Sequence, residues 1–565
     1  MNASALRDLR QRLADLPGTL RVVTRVARQS GMLWELTVPG LRASVGALVG
    51  TPNPAVMYRV LAASKPDVPG ILWHDEVLTF GEIDTKIDRV ATAMKRRGLG
   101  RKGSLVFMMK NRPEFVIGGA GVARVGAAAV SVSWRSTAAE LGYLAENCGA
   151  SGVCFEAPFW PIVEETAKAV PAIRKNLIVV GSSDHGGAGV PPGCVRFEDL
   201  LEERGAFVEE GGTEESAAVV IYTSGTTGKP KGAVRKFPRD TLPAAMRFVA
   251  ETPMRVDDIH LVPCPLYHST AFAFMTLSHM LGGTVVLMDE FKPEALLEHV
   301  QRFGVTTMAV VPTMLHRVLA LGPEVLARYN TRSLRIIFSG GAPLPGPLAI
   351  DVMNQFGDIL YNFYGATETG LVTLGSPVDL RAAPGTIGRS IPGNEIRLLD
   401  DAGKEVPRGQ VGELYVRNKL LVEGYHNDDA ATRASMREGF FSVGDLGRQD
   451  RDGRYFLEGR KRDMIISGGV NVYPAEVEGV LEAHPGIAEV AVVGVEDAEW
   501  GERVRAFVVK KPGTELEPGD LKAWVRQRLA GAKVPRDFVF LPALPRNPTG
   551  KVLKRDLRVW ADPHT

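Results

Sequence analysis

A dense set of groups that bind phosphate stands near the middle of the chain. Residues 222–232, YTSGTTGKPKG, contain four Ser/Thr hydroxyls, three glycines and two lysines. Glycine lets backbone amides approach a phosphate closely, and hydroxyls and lysine add further donors. The apolar residues 217–221 predict a buried strand that leads into this segment. We therefore predict a phosphate-binding loop formed by Thr223, Ser224, Gly225, Thr226, Thr227, Gly228 and Lys229.

This loop differs from the P-loop of Walker-type nucleotide hydrolases. The P-loop pattern is G-x-x-x-x-G-K-[ST], and its last hydroxyl holds magnesium. Here Gly225 and Gly228 are only three residues apart, and Pro230 follows Lys229 where the pattern needs Ser or Thr. The spacing therefore disfavours an ATP-driven motor or a P-loop kinase. A linker without a ligand is also disfavoured, because linkers seldom combine this donor set with a preceding buried strand.

Further motifs follow the loop along the chain. They are PLYHS at 265–269, SGGAP at 339–343, YGATETG at 364–370, SVGD at 442–445, GRKRDMIISGG at 459–469 and PRNPTGK at 545–551. Together with the loop they resemble the adenylate-forming superfamily, which contains acyl-CoA synthetases, firefly luciferase and the adenylation domains of nonribosomal peptide synthetases. The α/β pattern upstream fits the same family from about residue 52, so only the N-terminal segment lies outside the resemblance.

The resemblance implies a nucleotide site built from several of these motifs. Tyr364 would stack on adenine, Thr367 would contact the α-phosphate, and Glu368 would help to hold Mg²⁺. A hard oxygen ligand beside a polyphosphate is what magnesium prefers. Asp445 would accept hydrogen bonds from the ribose hydroxyls, with Arg460 nearby. The remaining residues implied for the nucleotide are Gly341, Ala342, Pro343 and Gly365.

The resemblance also implies a catalytic lysine and a hinge. Lys551 would bridge the substrate carboxylate and the α-phosphate, because bringing two anions together needs a neighbouring cation. It would act with Glu368 and Thr223. Arg462 stands at the hinge position, where the family more often has Asp or Lys. Rotation there would remove Lys551 and bring in the residues that border a pantetheine tunnel, Ser467, Gly468 and Gly469.

The segment around PLYHS bears on the acid to be activated. The resemblance places Tyr267, His268 and Phe272 in the acyl pocket, although a histidine in an apolar run is as often a core residue. Residues 267–272 contain no acidic side chain to pair with an ammonium group, which argues against an amino-acid activator. The apolar residues 271–275 suggest a hydrophobic acid. Resemblance points to a medium- to very-long-chain fatty acid, and aromatic acids suit the same side chains.

The expected reaction is therefore formation of an acyl-adenylate from ATP, with Mg²⁺, followed by transfer of the acyl group to coenzyme A. Alternatives with the same first step are a fatty acyl-AMP ligase that serves a carrier protein and an aryl-CoA ligase. A catalytically silent paralogue that binds nucleotide or acyl ligand is the alternative of another class. It is disfavoured because the loop, Glu368, Asp445, Arg460 and Lys551 are all present.

Alternation of short β-rich runs with helical patterns predicts an α/β fold. We expect a large adenylate-forming body of two α/β subdomains and a β-rich subdomain, followed by a small mobile α+β domain. The predicted boundaries are an N-terminal segment at 1–50, the large domain at 51–461 and the small domain at 462–565. Strands are expected at 71–73, 77–80, 104–109, 128–133, 153–155, 217–222, 284–288, 306–311, 335–339, 395–399, 412–417, 490–495 and 503–509.

The amino-acid composition restricts the possible binding partners and the cellular compartment of the protein. The 565 residues are 45% hydrophobic and 23% charged with a net charge of +2, which is globular and too balanced for a nucleic-acid binder. Four scattered cysteines and an N-terminus without a signal-like apolar stretch predict a cytoplasmic protein. Residues 20–49 form a basic amphipathic segment that suits a helix packed on the body, or else peripheral contact with a membrane surface. The sequence also allows a homodimer.

Overall fold

The computed structural model describes most of the chain. The described residues are 22, 24–31, 37, 40, 55–101, 103–181, 189–204, 207, 219–223, 231–235, 241–422, 424–425, 428–468, 470–497, 499–529, 531–546 and 552–560. Residues 224–230 of the predicted phosphate loop, together with Gly469 and Lys551, lie outside them.

The strands and helices alternate over most of the sequence. The strands are β1 Pro69–Trp73, β2 Glu76–Thr79, β3 Ser104–Met108, β4 Ala128–Ser131, β5 Ala150–Glu156, β6 Asn176–Val180, β7 Val195–Arg196, β8 Val219–Thr223, β9 Lys231–Arg235, β10 Ile259–Val262, β11 Thr284–Leu287, β12 Thr307–Val310, β13 Ile336–Ser339, β14 Leu360–Ala366, β15 Gly370–Gly375, β16 Arg389–Ser390, β17 Glu395–Leu399, β18 Gly412–Arg417, β19 Met436–Arg437, β20 Phe440–Phe441, β21 Asp445–Gln449, β22 Tyr455–Arg460, β23 Ile465–Ser467, β24 Val470–Val472, β25 Ile487–Asp497, β26 Gly501–Lys510 and β27 Asp537–Phe540.

The helices are α1 Val56–Ser64, α2 Phe80–Arg96, α3 Pro113–Arg124, α4 Ala138–Asn147, α5 Trp160–Ala169, α6 Phe197–Leu200, α7 Thr241–Ala250, α8 Ser269–Leu281, α9 Pro293–Phe303, α10 Pro312–Leu319, α11 Pro323–Leu326, α12 Gly346–Phe356, α13 Pro377–Ala382, α14 Asp429–Ser435, α15 Pro474–Glu482, α16 Pro518–Arg526 and α17 Lys554–Arg558. Short 3₁₀ turns lie at Ala157–Phe159, Pro171–Lys175, Lys461–Asp463 and Gly531–Lys533. Residues 22 and 24–30 are also helical.

Two large sheets form the α/β part. Sheet I has the strand order β7-β6-β5-β3-β4-β8-β9, and sheet II has the order β16-β15-β14-β13-β12-β10-β11-β1-β2. The central strands of both pair in parallel, and their residues are buried because helices cover both faces. Strand β3 is buried throughout. In sheet I, β8 and β9 are antiparallel, and the backbones of Thr223 and Lys231 are paired. This hairpin brackets the predicted phosphate loop.

Two smaller sheets follow along the chain. Sheet III is antiparallel with the order β19-β20-β18-β21-β22 and with β17 on β18, and sheet IV has the order β24-β23-β26-β25 with β27 on β26. Sheet IV has its own core, in which Leu481 of α15, Leu521 of α16 and Leu557 of α17 are fully buried. The predicted α/β class is therefore confirmed, and sheet III contains the short antiparallel strands of the predicted β-rich subdomain.

Several predicted boundaries differ from the structure for local reasons. The strand predicted at 77–80 ends at Thr79, because the Thr79 side chain caps α2 and accepts a hydrogen bond from the Glu82 amide. The strand expected at 284–288 corresponds to β11, which follows α8. Strand β10 has no counterpart among the expected strands, because a short, largely buried strand lacks alternation. The hairpin of β14 and β15 also has no counterpart among the expected strands.

The N-terminal helix of residues 24–30 packs on the body. Val26 is only 1% exposed and belongs to an apolar cluster with Phe248 of α7 and Phe274 of α8. The Gln29 side-chain amide donates to the Thr252 carbonyl, and the Val256 amide donates to the Ser30 carbonyl at 3.0 Å. The described part of the segment therefore matches the packed-helix alternative. Every helix in the described ranges is too short or too polar to cross a bilayer.

Replacing Val26 by Asp is expected to lower the free energy of unfolding by about 2 to 4 kcal/mol, because an unpaired carboxylate would be buried among apolar side chains. Urea denaturation of the full chain measures this. Arg28→Asp on the exposed side of the same helix is the control, with an expected change below about 0.5 kcal/mol. An unchanged midpoint for Val26→Asp would contradict the packing and favour the membrane-surface alternative.

Candidate active site

The ends of four parallel strands of sheet II meet at one edge. Strands β10, β12, β13 and β14 are neighbours in the order β14-β13-β12-β10. The chain leaves them toward PLYHS, toward Val311, toward Gly340 and toward Thr367. In open α/β sheets, ligands bind beyond the carboxyl ends of the strands. The predicted motifs at 265–269, 339–343 and 364–370 therefore share one edge.

Tyr364, Asp445 and Arg460 form one hydrogen-bonded group. The Tyr364 hydroxyl donates to Asp445 Oδ2 at 2.8 Å, and Arg460 Nε lies 3.2 Å from Asp445 Oδ1. Asp445 and Arg460 face each other across β21 and β22, so the register of sheet III fixes the ion pair. Both carboxylate oxygens of Asp445 are thus oriented. This group joins the edge of sheet II to sheet III.

Glu368 lies in the turn between β14 and β15, next to this group. Glu368 is only 7% exposed, and the Tyr425 hydroxyl donates to Glu368 Oε1 at 3.0 Å. Burial raises the pKa of the Glu368 carboxyl, while the hydrogen bond from Tyr425 and the charge of Arg460 act in the opposite direction. A cation placed beside Glu368 would favour its ionised form. The donor chemistry of Glu368 therefore suits a hard cation such as Mg²⁺.

The turn that holds Glu368 also contacts the start of α8. The Thr367 hydroxyl donates to the Ser269 hydroxyl oxygen at 3.0 Å. Ser269 is the first residue of α8, and His268 is its N-cap. The proposed phosphate contact, Thr367, is therefore linked directly to the segment that the resemblance assigns to the acid.

His268 is partly buried, and its buried Nε2 atom has no hydrogen-bond partner among the described residues. Burial of the ring lowers the pKa of the imidazole to about 4. The Tyr267 ring lies against it, with the ring centroids 4.2 Å apart. At neutral pH His268 is therefore an uncharged group that can orient a ligand by one hydrogen bond. It is a poor general acid, because it is deprotonated throughout the neutral range.

Apolar side chains continue from His268 along α8. Phe272, Val311 and Met314 are partly buried and pack against the same apolar cluster, which includes Ala271 and Met275. Gly341 has a φ of +77°, and a Cβ there would lie 3.7 Å from Thr270 Oγ1 and from Val311 Cγ1. The glycine thus keeps the backbone of the 339–343 motif beside Thr270 and Val311. Ala342 and Pro343 follow it in the same turn.

The residues predicted to form the hinge and the tunnel lie farther along the chain. Arg462 is in the 3₁₀ turn directly after β22, and the pKa of its guanidinium is lowered by burial and by Arg460. Ser467 ends β23 in sheet IV, where the Gly468 amide donates to the Trp500 carbonyl at 2.9 Å. The structure therefore brings Tyr364, Thr367, Glu368, Asp445 and Arg460 together, and it places Ser467 and Gly468 in a different sheet.

Two contacts within the site are not indicated by the sequence. Tyr425 holds Glu368 although the two are 57 residues apart, and Ser269 accepts from Thr367 across 98 residues. Tyr425 lies in an irregular segment without a motif of its own. Ser269 is the last residue of the PLYHS motif. The motif identifies the residue but does not predict its contact with Thr367.

Comparison with known protein families bears on the same residues. The model of the AMP-binding enzyme family matches residues 59–426, more than half of the chain, and that of the AMP-binding enzyme C-terminal domain matches residues 476–551. The chain belongs to the AMP-binding enzyme family. The resemblance to the adenylate-forming superfamily, and to its acyl-CoA synthetases, is thereby confirmed. Membership does not itself test the role of any single residue.

Characterised members of the AMP-binding enzyme family are similar over most of their length. A fatty acid–(acyl-carrier-protein) ligase, ScoC of Streptomyces coeruleorubidus, is 33% identical over 518 residues, 89% of this chain and 95% of the relative. An indoleacetate–CoA ligase of Aromatoleum aromaticum is 32% identical, with 88% and 96% covered. The long-chain-fatty-acid–CoA ligase FadD13 of Mycobacterium tuberculosis is also 32% identical, with 86% and 93% covered. These names support an acid–thiol ligase class and include both aliphatic and aromatic acids.

Solved structures of the AMP-binding enzyme family share the fold. An o-succinylbenzoate-CoA synthetase of Bacillus subtilis, in complex with its acyl-adenylate intermediate, has a TM-score of 0.76 and 28% identity, covering 89% of this chain and 98% of that one. The ATP-bound MatB of Rhodopseudomonas palustris has a TM-score of 0.78 and 28% identity, with 90% and 98% covered. The predicted fold, a large N-terminal body with a smaller C-terminal domain, is confirmed.

Proposed function

We propose that the chain is an acid–thiol ligase that converts a hydrophobic carboxylic acid into its CoA thioester. The carboxylate attacks the α-phosphorus of MgATP, which gives acyl-AMP and pyrophosphate. The thiol of coenzyme A then attacks the carbonyl carbon and displaces AMP. The observation that carries the proposal is the meeting of Tyr364, Asp445 and Arg460 with Glu368 at the strand ends of sheet II.

The nucleotide is proposed to lie across this group. The Tyr364 ring stacks on adenine, Asp445 accepts from the ribose hydroxyls, and Thr367 contacts the α-phosphate. The loop from Thr223 to Lys229, which follows β8 in the sequence, is proposed to bind the polyphosphate. Turn residues Gly341, Ala342, Pro343 and Gly365 complete the adenine side. No covalent enzyme nucleophile is needed, because the reaction depends on alignment and on charge neutralisation.

Glu368 is the proposed protein ligand of the magnesium that accompanies ATP. Mg²⁺ typically takes one or two carboxylates and completes its shell with phosphate oxygens and waters. The cation neutralises charge on the phosphates when bound. Tyr425 fixes the orientation of the Glu368 carboxylate through its hydroxyl. Lys551 and Thr223 are proposed to act on the α-phosphate together with Glu368.

The proposed acid is apolar, with medium- to very-long-chain fatty acids as the first candidates. Phe272, Val311 and Met314 give the region an apolar wall next to Tyr267 and His268. Neutral His268 offers one hydrogen-bonding nitrogen, which suits orientation of the acid near its carboxylate. Burial of each methylene of such an acid contributes about 0.8 kcal/mol. Affinity for the acid should therefore rise with chain length until the acyl chain covers the whole apolar wall.

An aryl acid is the second candidate. The observation that favours it is the pair of Tyr267 and His268 rings, whose centroids are 4.2 Å apart and whose planes are tilted by 57°, since aromatic rings pack against one another at such distances. Relatives include ligases named for indoleacetate and ferulate. Delivery of acyl-AMP to a carrier protein differs only in the acceptor of the second step.

A substrate panel tests the proposal. Purified protein with MgATP receives acids from acetate to long-chain fatty acids and aromatic acids, with and without CoA, and AMP and thioester are measured. We expect CoA-dependent AMP with the longer fatty acids. Pyrophosphate exchange without use of CoA would identify a ligase with another acceptor. No AMP from any acid would overturn the proposal in favour of a silent paralogue.

Replacing Gly469 by Leu is expected to slow the thioester step by at least about tenfold and to leave pyrophosphate exchange within about twofold. The reason is that a leucine side chain on the proposed pantetheine path, at residues 467–469, would obstruct the thiol arm of coenzyme A. Separate half-reaction assays, with synthetic acyl-AMP for the second, make the measurement. Gly479→Leu is the control, since a Cβ at Gly479 on α15 meets nothing within 4 Å. Equal loss in both half-reactions would contradict the assignment.

A further inference from the structure

The proposed hinge residue Arg462 is preceded by a residue that is firmly attached to the body. The Lys461 amide donates to the Gly444 carbonyl at 2.8 Å. Its ammonium lies 2.7 Å from Asp401 Oδ1 and 3.1 Å from Glu413 Oε2. We call Lys461 with Gly444, Asp401 and Glu413 the body-side clamp. Because these partners belong to sheet III and its turns, Lys461 is fixed to the part of the chain before the hinge.

The residue after Arg462 is attached to the C-terminal domain instead. Arg558 Nη2 donates to the Arg462 carbonyl at 3.0 Å and lies 3.3 Å from Asp463 Oδ1. Arg558 ends α17, whose Leu557 is fully buried in the apolar cluster of sheet IV. We call Arg558 with the Arg462 carbonyl and Asp463 the domain-side clamp. It connects the hinge to the core of the C-terminal domain.

Peptide geometry decides which side each clamp holds. The Arg462 carbonyl lies in the same rigid peptide plane as the Asp463 nitrogen. Rotation about φ and ψ of Arg462 therefore moves this carbonyl together with the residues that follow, and the domain-side clamp can persist during rotation. The Met464 amide donates back across the hinge to the Arg460 carbonyl at 3.1 Å. That bond joins the two sides, so it must break when Arg462 rotates.

We propose that Arg558 is a positioning residue that confines the rotation of the C-terminal domain to the single residue Arg462. This inference rests on the proposed function, together with the rotation of the C-terminal domain between half-reactions that the family resemblance implies. With both clamps in place, the domain moves as one body and delivers its catalytic groups to defined positions. Without Arg558, residues 463–466 would share the rotation, and both positions would be less well defined.

The charges around the turn support an active role for Arg558. Three guanidinium groups, those of Arg460, Arg462 and Arg558, lie close enough to influence one another, and Arg460 and Arg558 both contribute to the lowered pKa of Arg462. Arg558 Nε is buried and has no hydrogen-bond partner within the described part of the chain. Placing a third guanidinium beside two others is unfavourable unless its hydrogen bonds compensate. Those bonds go to the Arg462 carbonyl and to Asp463, at the hinge itself.

The test compares three variants of the full chain. Arg558→Met removes the donors and keeps an apolar side chain, Arg558→Lys restores a charged donor, and Arg555→Met is the control on the same helix. Arg555 is 72% exposed and pairs only with its neighbour Asp556 among the described residues. Pyrophosphate exchange, thioester formation from synthetic acyl-AMP, the KM for ATP and amide exchange at Met464 are measured.

We expect Arg558→Met to slow both half-reactions about tenfold with KM for ATP unchanged, and to speed amide exchange at Met464 by a similar factor. Arg558→Lys should recover most of both effects. Equal behaviour of Arg558→Met and Arg555→Met would overturn the proposal. So would a loss of activity that follows the folded fraction while Met464 exchange stays unchanged. If the wild type forms no adenylate, the proposed function fails, and the exchange data still test the clamp.

Discussion

Lys551→Ala is expected to reduce adenylation by about 100- to 1000-fold, measured as ATP–pyrophosphate exchange in the presence of the acid. In the proposed mechanism, the Lys551 ammonium would lie between the attacking carboxylate and the α-phosphate, where negative charge accumulates in the transition state. Removing a preorganised cation from that position costs more in the transition state than in the ground state, so kcat should fall more than KM rises.

The second half-reaction provides the discriminating measurement. If rotation at the hinge withdraws Lys551 before CoA reacts, Lys551→Ala should convert synthetic acyl-AMP to thioester within about threefold of the wild-type rate. Lys554→Ala is the control three residues away, because its ammonium already pairs with Glu478 at 2.6 Å. Intact pyrophosphate exchange in Lys551→Ala would show that Lys551 does not have the assigned role.

The sequence predicts the parts of the fold that depend on local patterns. Alternating strands and helices give the α/β class, and the apolar run before residue 222 gives strand β8. The N-terminal helix is a case in which the local pattern does not predict the packing partner. Its arginines and apolar residues suit either a membrane surface or a protein surface, and only the contacts of Val26 with Phe248 and Phe274 distinguish the two.

The candidate site divides in the same way. Motifs mark the residues that are proposed to bind the nucleotide, because phosphate and magnesium chemistry restricts their types to glycine, hydroxyl, carboxylate and lysine. Residues that position those groups are not restricted in this way. Tyr425 orients Glu368 across 57 residues, and Arg558 reaches the Arg462 carbonyl across 96 residues. Such pairs form only once the sheets have assembled, so no spacing in the sequence indicates them.

The Asp445 pair illustrates how a positioning contact and a binding contact share one carboxylate. Tyr364 and Arg460 each approach a different oxygen of Asp445. The remaining lone pairs of both oxygens are those proposed to accept from the ribose hydroxyls. Since Tyr364 is also the proposed adenine-stacking residue, its hydroxyl couples the base-binding ring to the ribose-binding carboxylate. Substitution of either Tyr364 or Asp445 should therefore weaken ATP binding.

Asp445→Asn is expected to lower kcat/KM for ATP by about 100- to 1000-fold, chiefly through KM, because two hydrogen bonds to a charged acceptor are each worth about 1.5 to 3 kcal/mol. The amide keeps the shape of the side chain and one acceptor for Tyr364, so the fold should be retained. Tyr364→Phe leaves the ribose contacts and removes only the orienting hydroxyl, which predicts a smaller loss of about tenfold.

The control for Asp445→Asn lies on the same hairpin. Asp452 is in the turn between β21 and β22, is 65% exposed and pairs with Arg454, so Asp452→Asn should leave KM for ATP unchanged. Initial-rate kinetics over ATP at saturating acid and CoA measure all three variants, with thermal unfolding to verify the folded fraction. An equal KM for ATP in Asp445→Asn and Asp452→Asn would show that Asp445 does not bind the ribose. Its ion pair with Arg460 would then serve only to join the two strands of sheet III.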